Sequence, residues 1–105
     1  MAALKTKQLP YGTACSVGTV LRAWGDSRLV LVYAVEANCP QPRQEAPNYT
    51  ELMCIPLGRI RKGVVTPAKR RRAFPLAQLP GDNPRPLHMG MVEGCAYRIV
   101  QLLAK

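Results

Sequence analysis

Between Arg28 and Glu36 the chain reads Leu-Val-Leu-Val-Tyr-Ala-Val, seven apolar residues in succession, most of them types that favour a pleated backbone. As a strand this run puts Leu29, Leu31, Tyr33 and Val35 on one face and Val30, Val32 and Ala34 on the other. Both faces then need cover, so the strand belongs in the middle of a sheet or under an interface. Just upstream, Cys15, Val17, Thr19, Leu21 and Ala23 alternate with Ser16, Gly18, Val20, Arg22 and Trp24, and Gly25-Asp26-Ser27 separates the two runs. The 15–36 segment is therefore expected to be a β-hairpin. A lone two-stranded ribbon is marginal in water, so further strands must join it.

Candidates for those strands are Tyr49 to Ile55, closed by Pro56, then Leu57 to Lys62, closed by Gly63, and a brief piece at Val64 to Pro67. At the end of the chain Cys95, Tyr97, Ile99, Gln101 and Leu103 alternate, and although Ala96, Ile99, Val100 and Leu103 also suit a helical face, the pattern is read as a strand. The ten prolines argue against long helices. Residues 1–13 read as a polar lead-in ending in a turn at Pro10-Tyr11-Gly12. The 38–48 and 80–90 segments, carrying Pro40, Pro42 and Pro47 and then Pro80, Pro84 and Pro86, read as loops. The expected fold is mainly β: one domain spanning 1–105, a small curled sheet or barrel, OB-like or SH3-like, of about five short strands with long Pro-rich loops.

Several function classes drop out. No apolar stretch approaches the roughly 20 residues of a membrane span, and Met1 to Lys7 never develops a signal-peptide core. No membrane partner is expected. Cys15, Cys39, Cys54 and Cys95 stand singly beside one histidine, so zinc-ligand spacing is missing and the thiols are read as reduced, small apolar residues in a cytoplasmic protein. No metal or cofactor is expected. Gly58 and Gly63, and the Gly90-Met91-Val92-Glu93-Gly94 stretch, lack the pattern of a phosphate-binding loop. Met89 and Met91 read as gap-filling residues, His88 as structural or merely exposed, and Cys54, between Met53 and Ile55, as buried. With no paired acid, base or nucleophile, the chain is expected not to be an enzyme.

Charge is what remains. The chain carries a net +9, and residues 59–72 hold seven basic residues and no acid: Arg59, Arg61, Lys62, Lys69, Arg70, Arg71 and Arg72. In a Leu57–Lys62 strand, Arg59 and Arg61 share a face and Lys62 takes the other, with Lys69 to Arg72 following as a cationic loop. Crowded like charges are more easily understood if a polyanion relieves them. The expected function is a non-catalytic nucleic-acid-binding or nucleoprotein-associated domain, on DNA or RNA, touching phosphates through these seven residues. The alternative is a protein-interaction or assembly module, such as a viral, phage or mobile-element component or an inhibitor of a nucleic-acid-processing complex. It would meet an acidic protein surface or form an oligomer through the 15–36 hairpin. Trp24 shares a face with Arg22 but is read as core, and Phe74 as the anchor of the cationic loop.

Overall fold

A computed structural model describes residues 4–25, 27–43, 45–88, 91–92 and 97–104. The strands are β1 (Leu4–Gln8), β2 (Val20–Ala23), β3 (Arg28–Cys39), β4 (Tyr49–Arg61), β5 (Val64–Pro67), β6 (Phe74–Gln78), β7 (Arg85–His88), β8 (Met91–Val92) and β9 (Tyr97–Ala104). All pair antiparallel, in the order β1-β9-β2-β3-β4-β6-β7-β8, with β5 alongside the far end of β4. The chain is thus mainly β.

Its layout differs from the expected one in ways that have physical reasons. Instead of about five short strands, two long ones dominate. β4 runs straight through Pro56, because the ladder skips a residue there: Val30 faces Pro56 and Leu29 faces Gly58. A bulge is where a strand tolerates proline, whose nitrogen has no hydrogen to donate. Residues 1–13 are not merely a lead-in, since Leu4–Gln8 forms β1 on the outer side of β9. In the other direction, Cys15 to Thr19 lies outside any strand, and β2 begins at Val20. The 38–48 segment loses its first two residues to β3, and the 80–90 segment contains β7. The 94–105 alternation does become a strand, β9, from Tyr97 onward. The Met89, Gly90 and Gly94 positions, and Cys95, lie outside the described residues.

Alternate residues of β2, β3, β4, β6 and β9 point to one side and bury Leu21, Val30, Val32, Leu52, Cys54, Leu76 and Ile99 together with Cys15. Strand periodicity accounts for this core directly. Burial pushes the Cys15 thiol up to about 11 and the Cys54 thiol up to about 12, which suits packing rather than nucleophilic chemistry.

The sheet curls over this core without closing into a barrel. β6 and β7 pair over only Leu76–Pro86 and Ala77–Arg85, and Pro84 and Pro86 limit what that end of the sheet can donate. The curl is fastened by hydrogen bonds between the link after β1 and the turn after β6. The Gly12 N–H donates to Asn83 Oδ1 at 2.9 Å, and Gln78 Nε2 donates to the Thr13 carbonyl at 2.8 Å and to the Asp82 carbonyl at 2.9 Å. The Tyr97 N–H donates to the Pro84 carbonyl at 2.8 Å. Asn83 and Gln78 are buried, so each would be costly to leave unpaired.

Tyr11 reinforces the fastening. Its hydroxyl donates to Asp82 Oδ1, which also accepts the Asn83 N–H at 2.8 Å, while Arg85 Nε stands 3.3 Å from Asp82 Oδ2. The Tyr11 hydrogen bond foremost, then the Asn83 N–H and the Arg85 charge, hold the Asp82 carboxyl below its ordinary 3.8 against partial burial. A lowered carboxyl contributes stability that is fully present above 3.8 and is lost as pH falls through the folded-state value. Tyr11→Phe is therefore expected to cost about 0.5–1 kcal/mol at neutral pH, the lower part of the hydrogen-bond range because the ring is exposed to solvent. The gap between variant and wild type should shrink at an acid pH low enough to protonate the carboxyl in both. Thermal melts at the two pH values test this, and a gap that stays constant would contradict it.

Candidate nucleic-acid interface

The basic residues of the 59–72 segment are set out by one hairpin and the link that follows it. β4 turns into β5 through Lys62 and Gly63, both with positive φ (50° and 78°), the conformation of a two-residue hairpin turn that leaves Arg61 facing Val64. Lys62 is therefore at the tip of the hairpin and not on the opposite strand face as expected. β5 then lies against β4 so closely that a Cβ on Gly58 would stand 2.0 Å from the Thr66 carbonyl oxygen. The Ala68 N–H, donating to the Leu57 carbonyl at 3.1 Å, fixes the start of the 68–73 link.

This arrangement builds a groove of about 760 Å³ at one end of the curl. Arg28, Arg59, Lys69 and Arg70 line it, and all four are exposed, so they form its rim. Phe74 and Tyr97 also line it while packing against the core cluster, which makes them its floor together with Val30 and Pro56. None of the described lining residues is acidic.

Arg28 enters the site through register: it stands directly across from Arg59 on the β3–β4 ladder. The Ile60 N–H, donating to the Ser27 carbonyl at 3.0 Å, secures that alignment. Two arginines placed as register partners, both exposed, concentrate positive charge at this end of the ladder.

The seven expected residues thus divide. Arg59, Lys69 and Arg70 border the groove. Arg61 and Lys62 extend along the hairpin to its tip, and Arg71 and Arg72 are exposed on the link beyond the groove. Among the described residues none of these seven lies in an ion pair, the one described pair being Arg85 with Asp82. Arg28, Phe74 and Tyr97 complete the site.

A smaller basic surface lies apart, on the opposite face of the sheet. Arg22 faces Arg98 on the β2–β9 ladder, and the Arg98 guanidinium sits 4.1 Å from the centre of the Trp24 ring. Trp24 is 55% exposed, contrary to its reading as core, because β2 ends at Ala23 and the ring projects from the turn. Arg22 Nη1 donates to Thr6 Oγ1 at 2.9 Å, tying β2 to β1. Among the described residues no cluster of three or more His, Cys, Asp or Glu could hold a metal ion, and no helix is long and apolar enough to cross a membrane. Comparison of the chain with known protein families, curated proteins and solved structures finds no match.

Proposed function

We propose that this chain is a non-catalytic nucleic-acid-binding domain, with phosphates held along the Arg28, Arg59, Lys69 and Arg70 rim and the Arg61–Lys62 tip extending the contact. The single observation that supports this most is the composition of the groove: four exposed cations around a partly aromatic floor, with no acid among its described lining residues. A cation rim recognises phosphate by charge and by hydrogen bonding from guanidinium and ammonium groups. That chemistry gives affinity without dictating sequence, so the expected binding is weakly sequence-dependent and strongly salt-dependent.

The experiment is fluorescence anisotropy of labelled mixed-sequence RNA and DNA with the full chain over a range of salt. Four rim contacts predict a log–log slope of about 3 on single strands, from about 0.7 per phosphate. No binding at about 50 mM salt, or binding indifferent to salt, would remove the proposal.

A further inference from the structure

We infer that the groove at the mouth of the curl takes a single-stranded polynucleotide, with a base laid against Phe74 and Tyr97 and its flanking phosphates on the basic rim. The inference rests on the nucleic-acid reading above and adds the strandedness of the ligand and the residues that sense it.

Three observations carry it. First, the site is layered: exposed cations border it, while its floor is aromatic and apolar and continuous with the core. A duplex turns phosphates outward and keeps its bases stacked inside, so it could engage the rim but would leave that floor unfilled. A single strand offers both chemistries at once, since unstacked bases lie on aromatic rings while the backbone follows positive charge.

Second, the two rings come from strands that are not neighbours in the sheet, β2, β3 and β4 lying between them in its order. Phe74 opens β6 and faces Cys54 of β4, whereas Tyr97 opens β9 and faces Ala23 of β2. The space between them is therefore a consequence of the sheet curling without closing. Third, the rim is held in place by the ladder and not by mobile side chains alone: Arg28 and Arg59 are cross-strand neighbours, and Lys69 and Arg70 follow directly on the anchored Ala68.

The contrasting geometry is a duplex met by the β4–β5 hairpin, since a two-stranded ribbon fits a major groove. That mode would use Arg61 and Lys62 and ignore the floor, so strandedness separates the two.

The test uses the full chain with labelled oligothymidine, oligouridine and a mixed-sequence duplex of equal length at several salt concentrations. The expected result is at least tenfold tighter binding of single strands than of duplex. Tyr97→Leu and Phe74→Leu should each weaken single-strand binding by roughly 5- to 100-fold while leaving the salt slope unchanged, because stacking releases no counterions. Since Phe74 and Tyr97 both pack on the core, each variant is scored only if its melting stays close to wild type; the wild-type comparison of single strands with duplex stands without them. The two single strands differ in the 2′-hydroxyl and in the 5-methyl of the base, and a preference for either supports the inference. Duplex bound as tightly as single strands, or Tyr97→Leu binding like wild type, overturns the inference and leaves the nucleic-acid reading standing. Absence of salt-dependent binding to all three probes overturns both.

Discussion

Gly58→Ala is expected to lower the melting temperature of this protein by roughly 10–25 °C. At φ 144° the backbone of Gly58 occupies a conformation that side chains rarely adopt, and a methyl group there would stand 2.0 Å from the Thr66 carbonyl oxygen and 2.8 Å from its carbonyl carbon. Both neighbours are backbone, so no rotamer change can make room. Left-handed strain costs about 1–3 kcal/mol and enforced overpacking a similar amount, giving roughly 3 kcal/mol or more in total. β5 would have to separate from β4, and with it the support of the 68–73 link. Circular dichroism melts report the outcome; a variant melting within a few degrees of wild type would mean that β5 does not approach Gly58 as described.

Arg59→Glu should weaken nucleic-acid binding by roughly 50-fold at about 50 mM salt while leaving the fold at least as stable. Each phosphate contact on a single strand is worth about 0.9 decades of affinity at that salt, from a slope of about 0.7, and reversing a charge removes about two contacts. The fold responds in the opposite sense. A carboxylate placed across from Arg28 adds an opposite-charge cross-strand pair, worth about 0.2–1 kcal/mol in its favour. Anisotropy titrations and thermal melts on one preparation separate the two effects. Loss of binding accompanied by a large fall in melting temperature would attribute Arg59 to architecture instead of recognition.

How much of this was legible in the sequence depends on whether the determining contact is local. β3 was legible because its run of pleat-favouring residues carries its own signature, and β9 because its alternation outweighed a competing helical face. β1 was not, since Leu4–Gln8 buries little and owes its existence to backbone pairing with β9, a partner far away in the chain. Pro56 reads as a stop, because the bulge that accommodates it arises only on the β3–β4 ladder. Closure into a barrel was expected on the general ground that closed sheets have no edges; here side chains such as Gln78 and Asn83 fasten the curl in place of a ladder.

The same distinction applies to the site. Arg59, Lys69 and Arg70 announce themselves by density of charge. Arg28 does not, as an isolated arginine at the start of an apolar strand, and it joins the rim only because its register partner is Arg59. Phe74 reads as an anchor, and it does pack on the core, but its place in the groove shows only once Tyr97 of β9 lines the same space. Tyr97 reads as an aromatic on the alternating face of the last strand, which does not by itself place it beside Phe74. Trp24 reads as core on the general habit of large rings, which the turn at its position overrides.

The irregular spacing of β3 bears on how readily another backbone could pair along its free edge. Beyond Val32 this strand has outrun β2, and it carries the half-exposed Tyr33 and Val35, so its free edge is a rail along which another molecule's backbone could zip. Yet its pairing with β4 slips between Val32 and Ala34 and again between Glu36 and Cys39, with Asn38 thrown to φ 62°. Such kinks break the even cadence of donors and acceptors that a straight intruder needs, so the rail is interrupted every few residues and runaway stacking of copies is discouraged at its first step.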